Sequence, residues 1–517
     1  MVEKIAHKLT RNPRLVALIA VLLLIPSALG YIGTRVNYDI LTYLPQDLES
    51  SQGERLLEEP FHMAATSMLI VEDMPAAYTN SLIYAIRQVP NVSNAVWLSN
   101  AVGIQIPIDF IPANLRDMFY AGDATMIIIQ YDKSGADEDT MKAIQAVRDI
   151  CNEKCFLAGF SVVIKDTKDL VDRELPVYVA LAVVLSLIAM SLTMESVVLP
   201  FVFLASIGMA IVYNFGTNIL LGQISYITKA IAAVLQLGVT MDYSIFLYHR
   251  YLEEKSRYED KRDAMTQAIV AAFTSLSGSS LTTIAGFIAL CFMRLTLGRD
   301  IGIVMAKGVV LGVATVILVL PALLLLFDKQ IEKHKHRSLL PDFTKVNGWI
   351  VRRRRWLAVL FLLLFPPALY AQSHAGVYYK LDEALPQDMA SIVANNKLKD
   401  EFDMATSHFV LLRDDLPATD MNRMEGELKE VEGVTSVLSY HAMLGAGIPD
   451  FFIPEDVRDM LKQGGWQMMM INSEYPTASD DVYRQLKEIG AIIKACDPQA
   501  LITGEAALTD DLISTSA

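Results

Sequence analysis

Asp242 and Tyr243 stand side by side in the run KAIAAVLQLGVTMDYSIFLYHRYLEEK, Lys229 to Lys255. From Ala230 to Tyr248 the run is apolar and approaches the thickness of a bilayer, with the carboxylate well inside it. An ionised Asp at a helix centre in lipid costs about 2.5–3.5 kcal/mol even on the most lenient insertion scale. Such residues therefore face a bundle interior or a wet cavity, where they serve ion or proton paths. A desolvated carboxylate also trades its charge for a proton more readily than one in water. The Tyr243 hydroxyl can donate to that carboxylate or accept from a water beside it. The competing reading is structural: Asp242 pairs with Arg250 near one end of the span, although FLYH still separates the two. One turn earlier, Gly238 leaves room for a neighbouring helix, and Lys229, Gln236 and Tyr243 recur every seven residues as a second polar stripe.

A second set of candidates lies in TSLSGSSLTTIAGF, Thr274 to Phe287, rich in hydroxyls and glycine for an apolar segment. Ser279, Thr282 and Thr283 are candidates to line a hydrated proton path; close helix packing is the alternative use of the same residues. Gly308 and Gly312 in GVVLG form a small-xxx-small pattern that reads as packing. Other chemistries find little support. There is no G-x-x-x-x-G-K-[ST] phosphate cradle, and the eight His residues are scattered. Cys151, Cys155, Cys291 and Cys496 show no metal-ligand spacing and read as small apolar filler, with Cys151 and Cys155 one turn apart on an expected helix. No enzyme, cofactor or metal is expected.

These residues need membrane helices to position them. Of 517 residues, 53% are hydrophobic and 20% charged, and the apolar residues are gathered into runs. Seven spans are expected: Leu15–Gly33, Pro176–Leu192, Val197–Asn214, Ile227–Tyr248, Ser275–Met293, Ile303–Phe327 and Trp356–Tyr370. Basic residues before the first span, after the fourth and between the sixth and seventh put the N-terminus and those loops in the cytoplasm. The expected order is then a cytoplasmic N-terminus (1–14), a first span (15–33), an external segment (34–175) and spans two to six (176–327). A basic cytoplasmic loop (328–355), a seventh span (356–372) and a second external segment (373–517) complete it. The long segments Thr34–Leu175 and Gln372–Ala517 hold 11 basic with 21 acidic residues and 11 with 25, so they carry the chain's negative charge and speak against nucleic acid as a partner.

An internal repeat runs through these segments. NYDILTYLPQD (Asn37–Asp47) returns as YYKLDEALPQD (Tyr378–Asp388), and IPIDFIPANLRDM (Ile106–Met118) as IPDFFIPEDVRDM (Ile448–Met460). FHMAATS (Phe61–Ser67) returns as FDMATS (Phe402–Ser407). The repeat makes the first span an anchor instead of a signal peptide, and a tandem duplication is expected. Gly159 and Asp166 align with Gly504 and Asp511, and a further set of about five spans is expected beyond Ala517 by analogy with the first copy. Each external segment also shows strand-like runs around amphipathic helices. TSMLIVED, VSNAVWLS, DATMIIIQYD and FLAGFSVVI flank AAYTNSLIYAIRQV and DEDTMKAIQAVRDICNE; SHFVLLRD, VTSVLSY, WQMMMINS and ALITGEA do so in the second. That is a βαββαβ order, ferredoxin-like.

GVTMDYSIFLYHRYLEE resembles the fourth-helix signature of the MMPL branch of the resistance–nodulation–division superfamily. SSLTTIAGFIAL and GVVLGVATVILVLPALLLLF are similar to its fifth and sixth helices. The resemblance implies a polytopic α-helical membrane protein with two external α+β porter domains, in the cytoplasmic membrane. It implies proton-driven export of lipids or other hydrophobic compounds, with Asp242 and Tyr243 as the first-half members of the proton relay. The relay's second half would sit on a tenth helix. A homo-oligomer is compatible with this reading. The alternative is a non-transporting lipid- or sterol-sensing membrane protein.

Overall fold

The computed structural model describes residues 2–61, 63, 65–97, 116, 119–336, 344–374, 385–441, 458 and 461–516. The expected repeat segments Ile106–Met118 and Ile448–Met460 lie outside the described residues apart from Arg116 and Arg458, as does most of Tyr378–Asp388. In chain order the helices are α1 (Val2–Arg11), α2 (Pro13–Gly33), α3 (Glu49–Glu58), α4 (Ala76–Ile86), α5 (Glu138–Ile150), α6 (Phe160–Thr193), α7 (Val198–Gly216) and α8 (Tyr226–Lys255). They continue with α9 (Lys261–Leu290), α10 (Thr296–Leu318), α11 (Leu320–Lys333), α12 (Thr344–Ser373), α13 (Ala390–Phe402), α14 (Ala418–Lys429), α15 (Asp480–Cys496) and α16 (Glu505–Ser516). The strands of the two five-stranded sheets are β1 (Ala65–Glu72), β2 (Val92–Val96), β3 (Tyr120–Ala121), β4 (Ala124–Tyr131), β5 (Cys155–Ala158), β6 (Thr406–Arg413), β7 (Val434–Ser439), β8 (Lys462–Gln463), β9 (Trp466–Ser473) and β10 (Leu501–Thr503). The chain divides into a helical unit and a sheet unit.

The helical unit holds Met1–Arg35, Leu175–Ala289 and Ile301–Tyr379. Among the described residues seven helices are long and apolar enough to cross a membrane, which makes this a multi-pass helical membrane protein. Its core gathers Phe203, Ile207, Leu247, Ala268, Ala272, Val316 and Leu320. Two glycines let α2 and α7 touch through their backbones. A Cβ on Gly30 would lie 2.1 Å from the Gly216 carbonyl oxygen, and one on Gly216 would lie 2.4 Å from the Ser27 Cα. Tyr213 of α7 donates to the Ala20 carbonyl at 2.6 Å, fixing the same pair. The sixth expected span, Ile303–Phe327, is not one helix. It breaks at Val319, between α10 and α11, because Pro321 has no N–H to continue the ladder and sits in the first turn of the second helix. Along α12 every described side chain except Leu357 is exposed.

The sheet unit contains two antiparallel sheets. The first runs β2–β4–β1–β5 with β3 hairpinned onto β4; the second runs β7–β9–β6–β10 with β8 on β9. Side-chain alternation places one face of each sheet under helices and the other in a shared core. Leu69, Val71, Ile127 and Ile129 pack with Leu82, Ile86, Ile144 and Val147, while Met68, Ile70, Met126 and Ile128 join Leu411, Met468 and Met470. Burial on both faces explains the unbroken apolar runs ATMIIIQY and WQMMMINS. The expected strand FLAGFSVVI is corrected: β5 covers only Cys155–Ala158, and Phe160 already begins α6. Gly159 between them has a φ of +115°, which ends the extended backbone. The helix expected through Cys151 and Cys155 likewise stops at Ile150, so the two cysteines flank a turn instead of sharing a helical face.

The short helices α3 and α13, not expected from the sequence, tie the two halves of the sheet unit together. α13 packs on β5 and α3 packs on β10. Asp166 of α6 accepts two bonds from Arg148, one of them at 2.8 Å, and one from the Ser391 backbone N–H in the first turn of α13 at 3.1 Å. Reciprocally, Asp511 of α16 accepts from the Ser50 hydroxyl in the first turn of α3. Thr503 donates to the Ser50 carbonyl at 2.8 Å, and the Asn395 side chain accepts from Gly159 N–H at 2.8 Å.

Candidate functional site

Helix α8 starts where the Ser225 hydroxyl accepts from Ile227 N–H at 3.2 Å. Its inward face is a single stripe: Thr228, Ala232, Gln236, Thr240, Tyr243, Leu247 and Tyr251 are all buried. Tyr243 is 7% exposed and belongs to the core of the helical unit. Asp242, one residue before Tyr243 and so 100° away round the helix, is exposed on a different face with Ile231, Leu235 and Gly238. Among the described residues no hydrogen bond or ion pair reaches Asp242, from Tyr243 or any other group. Arg250 pairs instead with Glu253 at 2.7 Å and stacks 5.4 Å from the Phe246 ring centroid. Among the described residues nothing lies within 4 Å of the Cβ position at Gly238, where a helix approach was expected.

The hydroxyl candidates on α9 follow the same pattern. Ser279 and Thr282 are exposed and Thr283 is half-buried. Thr282 and Thr283 both donate back to the Ser279 carbonyl, at 2.7 and 3.2 Å, so their protons are used while their oxygens stay open to a donor. With Ala271, Ser275, Gly278, Ala285 and Gly286 they form a continuous exposed strip of small residues. The structure does not join Asp242 to Ser279, Thr282 or Thr283 by any hydrogen bond among the described residues.

A polar cluster inside the helical unit was not expected. Lys307 of α10 donates to the Asn214 carbonyl at 2.9 Å, the Thr217 hydroxyl at 2.9 Å and the Asn218 side-chain oxygen at 2.5 Å. It thereby serves the orphan carbonyls at the end of α7, where a cation is favoured. Asn214 donates to Gln236 at 3.0 Å, and Gln236 donates to the Gly308 carbonyl at 3.2 Å. Gly308 and Gly312 make this contact: a Cβ on Gly308 would lie 2.7 Å from the Asn214 amide nitrogen, and one on Gly312 would lie 2.7 Å from the Thr240 hydroxyl. The GVVLG pattern is therefore packing between α10 and its neighbours. Gln236 and Tyr243 share a buried stripe, whereas Lys229 lies 6.0 Å from the Tyr31 ring centroid.

The sheet unit contributes a cavity of about 180 Å³, lined by Leu57, Met63, Leu398, Met404 and Phe409 with Glu54 among them. Burial, reinforced by the charges of Asp39 and Glu58, pushes the Glu54 carboxyl up to about 7. Burial raises Asp39 to about 6, although Leu41 N–H donates to it at 2.8 Å. No cluster of three or more His, Cys, Asp or Glu side chains fit for a metal occurs among the described residues.

Known proteins are similar to parts of this sequence. The chain is 27% identical over 350 residues to the membrane protein ActII-3 of Streptomyces coelicolor, covering 64% of this chain and 47% of that one. It is 23% identical over 249 residues to the siderophore exporter MmpL5 of Mycobacterium tuberculosis, covering 45% and 26%. It is 27% identical over 188 residues to the mycolic acid-containing lipids exporter MmpL11 of Mycolicibacterium smegmatis, covering 34% and 20%. The chain spans about half the length of the curated relatives it matches. The MMPL family model matches residues 84–359, just over half of the sequence, and the chain belongs to the MMPL family.

Proposed function

We propose that the protein is part of a proton-driven exporter of lipids or other hydrophobic compounds in the cytoplasmic membrane, with Asp242 and Tyr243 in its proton relay. The observation that carries this reading is the bare Asp242 carboxylate on an apolar helix, with no cation beside it among the described residues. A charge so placed is expensive in lipid and is tolerated against a second bundle or water. The exposed strip of Ser279, Thr282 and neighbouring small residues on α9 suits the same use, since small residues admit a close helix and hydroxyls can line a hydrated path. Protonation of Asp242 removes the charge, and the bundle shifts between two packings. A potential of 100 mV supplies about 2.3 kcal/mol per proton, which biases a two-state equilibrium by roughly fifty-fold.

In this reading the sheet unit comprises two porter domains of ferredoxin-like order, related by tandem duplication and lying outside the membrane. Support comes from the matching strand orders of the two sheets and from the reciprocal Asp166–Ser391 and Asp511–Ser50 contacts. The cavity beside Glu54 mixes Leu57, Met63, Leu398 and Met404 with Ser67, Ser161, Asn395 and Thr406, a lining that suits a substrate with both apolar and polar parts. The exporter names of two relatives agree with transport as the activity, with no reaction catalysed. Proteoliposomes loaded with a pH-sensitive dye test it: a transported lipid should evoke proton flux across the membrane. Lipid binding with no flux would favour a sensor instead.

A further inference from the structure

Cys151 closes α5 and Cys155 opens β5, with the turn Asn152–Glu153–Lys154 between them. Cys155 N–H donates to the Asn152 carbonyl at 3.1 Å, which closes the turn between the two cysteines. The Cys155 thiol donates to the Asn152 side-chain oxygen at 3.3 Å, and Cys151 and Cys155 line one cavity with Arg148, Asn152, Ala390 and Val393. Both thiols are free and half-buried, so a small reagent can reach them. We infer that Cys151 and Cys155 are a redox-active dithiol, a modification site that closes to an intramolecular disulfide by exchange with an external disulfide. The repeat supplies an internal control. Cys496 aligns with Cys151, but the position matching Cys155 is Ala500, so the second half carries no such pair.

The chemistry divides between the two thiols. The neighbouring Cys151 thiol, helped by the Asn152 backbone and opposed by burial, lowers Cys155 to about 6, while the Cys155 sulfur and burial make Cys151 hold its proton more firmly. Cys155 is therefore the attacking thiolate near neutrality. Its sulfur displaces one thiolate from the external disulfide and forms a mixed disulfide. Cys151 then loses its proton to solvent and attacks the Cys155 sulfur, displacing the second thiolate. The protein gives up two electrons and two protons, and the external disulfide becomes two thiols. The site adjoins the Arg148–Asp166–Ser391 contact, so closure bears on the turn that positions Arg148 against α13.

The test uses the purified full chain in detergent, equilibrated with mixtures of oxidised and reduced dithiothreitol, quenched in acid, alkylated with N-ethylmaleimide and digested with trypsin. Cleavage after Arg148 and Lys154 puts the two cysteines on separate peptides, Asp149–Lys154 and Cys155–Lys165. Oxidation should join these peptides and remove both thiols from the alkylated pool together, while Cys291 and Cys496 stay alkylated. In Cys151→Ser, hydroxyethyl disulfide should instead leave a lasting mixed disulfide on Cys155. Alkylation of Cys155 should hold its rate down to about pH 6. Full alkylation of Cys151 and Cys155 at every oxidant ratio would overturn the inference. So would a mixed disulfide on wild-type Cys155 that Cys151 fails to displace.

Discussion

Lys307 and Asp242 are both ionisable groups on apolar helices, and their surroundings treat them in opposite ways. Lys307 donates to three oxygens at the end of α7; Asp242 receives no bond among the described residues. Removing the first should therefore cost stability and removing the charge of the second should not. Lys307→Met leaves the buried Asn218 side-chain oxygen without its Lys307 donor and the Asn214 carbonyl with only the Thr217 hydroxyl, at about 1–3 kcal/mol. Its melting temperature in detergent should fall by several degrees, with partial recovery in Lys307→Arg. An unchanged melting temperature would show that the cluster is not structural. The Asp–Tyr pair was legible as residue types inside an apolar run, because an intramembrane carboxylate stands out against its neighbours. The Lys307 cluster was not, although a lone Lys in VMAKGVV was a signal. Its partners lie about ninety residues earlier on α7, and no spacing rule reaches that far.

At the scale of elements, two features can be measured separately. The α2–α7 crossing has no space for a side chain at Gly216, so Gly216→Leu must push the helices apart. Little folded protein should survive detergent extraction, whereas Gly208→Leu, at an open position of the same helix, should extract like the parent. The second feature is a pH dependence in the sheet unit. Glu54 binds its proton more tightly folded, at about 7, than its ordinary value of 4.5, so between these values the folded state carries more protons. Stability is then greatest below about pH 4.5, as far as this group is concerned, and falls as pH rises through 7. The loss is on the order of 2 kcal/mol after allowance for partial exposure. The sheet unit of Glu54→Gln should melt higher than the parent at pH 8 and nearly level with it at pH 5; equal melting temperatures at pH 8 would contradict the assignment. Strand limits such as Trp466–Ser473 were readable from apolar runs bounded by polar turns. The start of α6 was not, because FSVVI is β-branched and only the left-handed Gly159 turns it into a helix. Helices α3 and α13 escaped notice because ESSQGERLLE and ASIVANNKLKDEF have weak apolar periodicity and owe their place to packing on the opposite sheet edge.

For the whole molecule, the basic flanks of the spans set an expected orientation, and impermeant labelling in intact cells checks it. A cysteine replacing exposed Asp415 should be labelled from outside, and one replacing exposed His334 only after permeabilisation. Labelling of both from the same side would invalidate the proposed topology. The faces left bare on α8, α9 and α12 were only half readable. The sequence shows an Asp and a strip of small hydroxyl residues, but not that the chain's own helices leave them uncovered. In the proposed mechanism Asp242 works by gaining and losing a proton. Asp242→Asn keeps the shape and hydrogen-bonding capacity of the side chain and cannot ionise. The decisive measurement is proton-coupled lipid transport by this variant in proteoliposomes, read beside its melting temperature and beside Tyr243→Phe, which should slow transport without stopping it. The account predicts no transport by Asp242→Asn at an unchanged or slightly raised melting temperature, since neutralising a charge in an apolar setting removes a desolvation cost. Transport at the parent rate would contradict it.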